Sequence, residues 1–364
     1  MTAESYAPTS GAHRPGHLIT AERMKAYLVP RVRMPARAWK IRYSSTTATG
    51  RPTTVTGMVL VPPTPYAGPR PLIGYGIGTQ GLSKYSAPSR QIALGIEYEA
   101  SVIASALRRG WAIALTDYPG LGTPGDHPYV IGRALGPAVL DCMRAARQLT
   151  EAQLDPDGPL AIFGYSEGGN AAGWALQLQP TYAPDLPIVA GAVGAAPADL
   201  EAMISALDGS LFAFLLIYGI FGLNAAYPEI DVYQYLNRRG HRAVARFGRT
   251  HISRAVPLGA AMSSKRLLDH VTQSPYEIPE VLARLQDNRL GSIAPKAPVL
   301  IGAGTHDQVI PYSQARNLFR EWRDGGADVH LRTMPIREHI TGGISFAPAA
   351  FAFLARHLVQ AGRR

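Results

Sequence analysis

The sequence contains almost no cysteine: one residue, Cys142, in 364. A single cysteine cannot form an intramolecular disulfide, so the fold does not depend on disulfide bonds. Cys142 falls within an apolar helical pattern at residues 138–149 (AVLDCMRAARQL), which predicts a buried and unreactive thiol.

Long apolar runs are also missing. The longest, residues 211–223 (LFAFLLIYGIFGL), is too short to span a bilayer as a helix, so we expect no transmembrane segment. Residues 1–25 lack the apolar stretch of a signal peptide. The sequence as written therefore favours a cytoplasmic location; the alternative is a secreted protein whose N-terminal signal has been removed from this sequence.

Lysine is scarce as well, since it supplies only five of the 36 basic residues. The formal net charge of +10 is carried by arginines spread along the chain, without a basic block that has interleaved aromatic residues. We therefore expect no nucleic-acid partner and interpret clusters such as Arg238-Arg239 as solvated surface. The composition, 46% hydrophobic and 17% charged, is that of a soluble globular protein.

Short apolar runs alternate with helical patterns through most of the chain. Residues 39–43 and 55–61 resemble an antiparallel edge. Five further runs have the apolar character of buried strands, and the strand pattern returns once more at residues 329–334 (VHLRTM). Alternation of this kind predicts an α/β fold with a mostly parallel sheet and helices on both faces. These six predicted strands are 71–76, 111–116, 159–163, 188–194, 298–302 and 329–334, and the predicted helices flanking them are 91–109, 134–151, 170–178 and 348–359.

The alternation stops for about a hundred residues after the fourth buried strand. Residues 199–293 are mostly helical in pattern and predict a cap inserted into the sheet domain. We divide the chain into an N-terminal arm (1–38), a core (39–198 and 294–364) and this cap.

The chemistry centres on Gly164-Tyr165-Ser166-Glu167-Gly168, between a predicted strand and a predicted helix. Glycines on both sides of a serine permit a turn so sharp that the hydroxyl is exposed in a strained backbone conformation. In this strand–turn–helix context the pattern predicts a nucleophile elbow.

A serine nucleophile needs an acid and a base from later loops. Asp307 lies in the loop that directly follows the strand at 298–302, and His339 follows the last predicted strand, as the order Ser, Asp, His requires. His306 and His330 are competitors for the base; His306 adjoins the acid and His330 lies inside a strand.

The reaction also needs backbone NH groups that stabilise an oxyanion. One is predicted at Glu167, and the second at either residues 76–81 or residues 117–120. The glycines of residues 74–81 (GYGIGTQG) miss the spacing of a dinucleotide-binding motif, so we expect close packing there and no nucleotide.

Four segments resemble the secretory lipase family of fungi and actinobacteria, the group that includes lipase A of Candida antarctica. They are GYSEGG (164–169), TDYPGLG (116–122), HDQVIPY (306–312) and MPIREHITGG (334–343). The resemblance runs from about residue 39 to the C-terminus and implies an α/β-hydrolase fold. One departure is Glu167, where the Candida enzyme has glycine.

By this resemblance Ser166, Asp307 and His339 match the catalytic triad, and Asp117 matches the residue that provides the second oxyanion NH. It also implies that the cap has an apolar groove for an acyl chain. The expected substrate contacts are Tyr118, Tyr165, Phe212, Phe214 and Leu215.

The predicted function is that of a serine carboxylic-ester hydrolase, a lipase or esterase that works through an acyl-enzyme without metal or organic cofactor. An acyltransferase with the same triad and an alcohol or amine acceptor is the alternative. The expected partner is a small-molecule or lipid ester, with transient contact at a lipid interface, and the oligomeric state stays open.

Overall fold

The structure, a computed structural model, describes residues 14–336 and 338–362. Its strands are β1 (Leu18–Met24), β2 (Tyr27–Val29), β3 (Val32–Arg33), β4 (Arg37–Thr46), β5 (Pro52–Val61), β6 (Leu72–Gly76), β7 (Ala112–Thr116), β8 (Leu160–Tyr165), β9 (Ile188–Gly194), β10 (Val299–Gly304) and β11 (Val329–Met334).

Nine of these strands form one sheet in the order β1-β4-β5-β7-β6-β8-β9-β10-β11. The pairings from β1 to β7 are antiparallel, and those from β7 through β11 are parallel. The carboxyl ends of the parallel strands therefore share one edge, where ligand sites of such sheets form. The predicted mostly parallel sheet is confirmed.

The N-terminal arm predicted at residues 1–38 is partly wrong, because β1 pairs with β4 along the edge of the main sheet. Leu18, Ala21 and Met24 recur every three residues and pack against the core, which ties this segment down. Residues 1–13 of the predicted arm lie outside the described residues.

Eleven α-helices are found in the described part of the chain. They are α1 (Pro88–Leu94), α2 (Ala100–Arg108), α3 (Gly132–Gln148), α4 (Glu167–Tyr182), α5 (Leu200–Leu207), α6 (Phe214–Ala226), α7 (Arg238–Phe247), α8 (Ile252–Ala260), α9 (Pro279–Asp287), α10 (Tyr312–Asp324) and α11 (His339–Ala361).

Both faces of the sheet carry helices. Leu176 of α4 packs on Gly191 of β9, whereas Phe346 of α11 packs on Gly194 of the same strand. Residues an odd number of positions apart point to opposite faces, so α4 and α11 cover different sides. The helix predicted at residues 91–109 is two helices, because Gly95 ends α1 in the left-handed region at φ 73°.

The segment between β9 and β10 contains α5 to α9 and adds no strand to the main sheet. A second apolar cluster is centred on Phe214, Tyr218 and Phe247 of this segment and also includes Leu82 and residues 129–131. This arrangement matches the helical character predicted for residues 199–293, and the division into cap and core stays a prediction.

The last helix, α11, begins nine residues before the start predicted for it. The Glu338 side chain accepts hydrogen bonds from the NH groups of Ile340 and Thr341, which caps the helix at its N-terminus. Its length and apolar composition would also suit a membrane span. However, Phe346 and Phe351 are buried against the sheet, which identifies α11 as a core helix.

Candidate active site

Ser166 lies in a sharp turn between β8 and α4. Its backbone has φ 61° and ψ −125°, outside the conformations that serine normally adopts. The Ser166 NH donates to the Gly194 carbonyl oxygen at 2.9 Å, which anchors the turn to β9. The predicted elbow geometry is present.

The glycines on either side of Ser166 are required by close backbone approach. A Cβ at Gly164 would lie 1.9 Å from the Gly168 carbonyl oxygen, and a Cβ at Gly168 would lie 2.1 Å from that of Gly76. No side chain fits at either position. The elbow is therefore pressed directly against the end of β6.

His339, Asp307 and Ser166 come together at the carboxyl edge of the sheet. His339 Nε2 lies 2.8 Å from Ser166 Oγ, and His339 Nδ1 lies 2.7 Å from Asp307 Oδ2. The Tyr165 hydroxyl donates to the His339 carbonyl oxygen at 2.9 Å. The start of α11 is thus held over the elbow.

Asp307 has further bonds that fix its orientation. Its Oδ1 accepts the NH groups of Val309 and Ile310, both at 2.9 Å, which leaves Oδ2 for the imidazole. The competing histidines point elsewhere: His306 is exposed beside Thr305, and His330 pairs with Asp328 on the surface.

The oxyanion donors are only partly as predicted. Glu167 is the first residue of α4, and its NH donates to no acceptor among the described residues, as expected at a helix start. The expectation for Asp117 is wrong, because its NH donates to the Thr56 carbonyl oxygen at 2.8 Å. The Asp117 carboxylate is buried and accepts bonds from Ser89 and Thr56.

The other loop considered for the second donor, residues 76–81, leaves β6 beside the elbow. Thr79 lines the same cavity as Ser166. Within the described chain the NH groups of Thr79 and Gln80 donate to no acceptor. The loop at residues 76–81 therefore has NH groups without an acceptor in the part of the chain that the structure describes, whereas the NH groups of residues 117–120 are all hydrogen-bonded.

The Glu167 side chain has a partner that the sequence did not reveal. Its Oε1 lies 2.7 Å from His127 Nε2, and both side chains are buried. The other ring nitrogen of His127 donates to the Pro119 carbonyl oxygen at 3.0 Å. Because a carbonyl only accepts, Nδ1 carries a proton, and a second proton is held between Nε2 and Oε1.

Two acidic residues accept hydrogen bonds from the loop at residues 76–81. Glu99 accepts the Gly78 NH and the Tyr75 hydroxyl, both at 2.7 Å, and Glu97 accepts from Gln80 Nε2 at 3.1 Å. Burial, reinforced by the neighbouring Glu99, raises the pKa of Glu97 to about 8. Burial also raises the pKa of Glu99 to about 7.

A cavity of about 570 Å³ extends from the site into the predicted cap. Four of the five expected substrate contacts, Tyr165, Phe212, Phe214 and Leu215, line it. Tyr118 is the exception and the expectation for it is wrong. Its hydroxyl donates to the Ile77 carbonyl oxygen and its ring stacks on His127, so it packs behind the loops.

The described residues contain no cluster of three or more His, Cys, Asp or Glu side chains that could hold a metal ion. Cys142 is fully buried as predicted, and burial raises the pKa of its thiol.

The fold agrees with comparisons to solved structures. Candida antarctica lipase A in its closed state superposes with a TM-score of 0.85 at 22% identity, covering 98% of this chain and 85% of that one. A variant of the rice cell wall degrading esterase from Xanthomonas oryzae gives 0.78 at 20% identity, covering 96% and 100%. The molecule therefore has the α/β-hydrolase fold.

The sequence also identifies the family to which the chain belongs. The model of the family described as secretory lipase matches residues 85–361. The chain belongs to this family of lipase-like hydrolases, and the predicted resemblance is confirmed.

The names of the curated relatives describe both a probable inactive lipase and secreted lipases. A Mycobacterium tuberculosis protein named as a probable inactive lipase is 29% identical over 96% of this chain and 80% of its own length. A secreted triacylglycerol lipase of Malassezia furfur is 30% identical over 65% of this chain and 63% of its own length. The chain thus matches less than two thirds of the Malassezia enzyme. The cytoplasmic location predicted from residues 1–25 finds no support in these names.

Substitution of Glu97 tests whether burial raises the pKa of its carboxyl group. The pKa of Glu97 is raised in the folded protein, so between pH 4.5 and pH 8 the folded protein keeps a proton that the unfolded chain has lost. The free energy of unfolding therefore falls progressively as the pH rises from about 4.5 towards 8. We expect Glu97→Gln to remove this decrease. Relative to the wild type, the variant should gain at least about 1 kcal/mol in unfolding free energy between pH 5 and pH 8.

Urea unfolding at both pH values measures the difference, with Glu151→Gln as the control because Glu151 is exposed. The control should show no pH-dependent gain. A Glu97→Gln difference that stays constant across this range would contradict a raised pKa.

Proposed function

We propose that this protein is a serine carboxylic-ester hydrolase that acts through an acyl-enzyme. The observation that carries the proposal is the continuous chain from Ser166 Oγ to His339 (2.8 Å) and on to Asp307 (2.7 Å), at one end of an apolar cavity. Such a chain is the arrangement that activates a serine for attack on an ester carbonyl.

In the proposed reaction His339 Nε2 takes the proton of Ser166 Oγ as the oxygen bonds to the carbonyl carbon. Asp307 stabilises the imidazolium and keeps Nδ1 protonated, without taking the proton itself. His339 then gives its proton to the departing alcohol, and the acyl group remains on Ser166. Attack by water, with His339 again as base, releases the acid.

The oxyanion of each tetrahedral intermediate would accept the Glu167 NH and a second NH from residues 76–81. A single oxyanion donor contributes about 3 kcal/mol in enzymes of this kind. The free NH groups of Thr79 and Gln80 support this assignment over Asp117, whose NH is already bonded to Thr56.

The relative named as a probable inactive lipase raises the rival reading of a hydrolase-like binding protein. Family membership does not decide between the two, because both have the fold. The hydrogen-bonded Ser166, His339 and Asp307 favour catalysis in this chain.

A fluorophosphonate probe should label the wild type on Ser166, since only an activated serine attacks it. Ser166→Ala should abolish labelling and lower hydrolysis of p-nitrophenyl butyrate by about 10⁴-fold or more. Mass spectrometry locates the adduct. Labelling that persists in Ser166→Ala, or its absence from the wild type, would refute the mechanism.

We propose that the cavity takes the acyl chain of the substrate. Its lining between Ser166 and the predicted cap is mainly aliphatic and aromatic, including Phe212, Leu215 and Leu223. Such a lining excludes water and gains from each buried methylene. The names of the Malassezia relatives, which describe triacylglycerol lipases, agree with a lipid ester. Those names also describe secreted enzymes, so secretion is the location we propose.

Gly219 of α6 offers a way to shorten this cavity. It lines the cavity, and a Cβ built on it meets no atom within 4 Å. We expect Gly219→Leu to fill part of the acyl space and to lower kcat/KM about tenfold for long-chain p-nitrophenyl esters while leaving acetate and butyrate unchanged.

The matched control is Ala225→Leu, which adds the same side chain on α6 away from the cavity lining. It should retain the wild-type chain-length profile. Equal losses for all chain lengths in Gly219→Leu, or a flat wild-type profile, would contradict the acyl-chain assignment.

Acyl transfer to an alcohol is the second candidate, favoured by the apolar lining of the cavity, which limits water at the acyl-enzyme. Product partition separates the two functions. We expect the free acid to remain the main product when a primary alcohol is added at modest concentration. An ester product that dominates under these conditions would make the protein an acyltransferase.

A further inference from the structure

Helix α7 presents a row of arginines on the face opposite its buried side. Gly240, Ala243, Val244 and Phe247 face the protein interior. The arginines at 238, 239, 242 and 246 are all exposed, and their spacing of three and four residues places them on one outer face. Arg249 and Arg254, which follow α7 in the sequence, are exposed too. We call these six residues the cationic cap face.

The cationic cap face is not neutralised by the protein. None of the six arginine side chains forms an ion pair or hydrogen bond with the described residues. No aspartate or glutamate occurs between Asp231 and Asp269 in the sequence. Like charges four residues apart on a helix are destabilising, so this row costs stability in the isolated protein.

The next helix connects the cationic cap face to the mouth of the cavity. His251 precedes α8, and Val256 within it is exposed while lining the same cavity as Ser166. The NH groups of Leu82 and Ser83 donate to the Thr250 carbonyl oxygen, which places the following loop, with exposed Lys84, alongside.

Exposed apolar side chains surround the cavity mouth. Ile96, Tyr98, Ile340 and Ile344 each line the cavity and are each more than 40% exposed. Together with Val256 they form an apolar rim. Large apolar side chains left open in one place around a site mark a contact surface.

We propose that the cationic cap face and the apolar rim bind an anionic lipid surface, so that the cavity mouth opens onto lipid. Arginines attract negative headgroups, and apolar side chains beside them enter the interface. Nucleic acid fits less well, because it would leave an aliphatic rim in water. The choice of lipid as partner rests on the proposed function.

The test is co-sedimentation with vesicles of phosphatidylcholine alone or with about 30% phosphatidylglycerol at about 0.1 M salt. Wild type should bind the anionic vesicles, and raised salt should weaken binding. We expect Arg238→Gln/Arg242→Gln/Arg246→Gln to lower the partition coefficient about 100-fold.

The matched control is Arg316→Gln/Arg320→Gln/Arg323→Gln on α10, which removes the same charge from an exposed face of a core helix. It should bind the vesicles within threefold of the wild type. An equal loss in both variants, or wild type that binds neutral and anionic vesicles alike, would overturn the proposal. So would tighter binding to random-sequence duplex DNA than to the vesicles.

Hydrolysis of p-nitrophenyl butyrate in solution separates this proposal from the proposed function. Both triple variants should retain the wild-type rate, because neither alters the triad or the cavity. Vesicle binding by a protein without hydrolysis would refute the function alone, and hydrolysis without vesicle binding would refute the surface alone.

Discussion

The backbone contact between the elbow and the end of β6 is the constraint on which the site depends. Gly76, Gly164 and Gly168 approach so closely that no Cβ fits at Gly164 or Gly168. This contact supports Ser166 in its strained conformation and places the loop at 76–81 beside the helix start that carries the free Glu167 NH. The proposed oxyanion donors and the proposed nucleophile are therefore positioned by the same backbone packing.

Much of this arrangement could be predicted from the sequence, because it depends on local pattern. Continuous apolar runs indicated the parallel strands, and Asp307 and His339 follow two of them at the edge that also carries Ser166. Burial of Cys142 followed from its helical pattern in the same way. Local pattern also gave the helical character of residues 199–293.

What could not be predicted depends on contacts between distant segments. Asp117 carries the expected motif, yet its NH is taken by Thr56 in a neighbouring strand, which no local pattern records. His127 lies 40 residues from Glu167 in sequence, and only the fold brings the two together. The start of α11 was missed because two glycines, Gly342 and Gly343, resemble a loop, whereas the Glu338 cap and the nearby Tyr165 ring favour a helix there.

His339 is the first residue of a helix of 23 residues whose apolar side packs on β8, β9 and β10. The proposed base is thus attached to the longest helix in the described part of the chain. The packing of this helix on the sheet anchors the backbone of His339 close to Ser166. The position of the proposed base therefore depends on the packing of the core and not on the conformation of a surface loop.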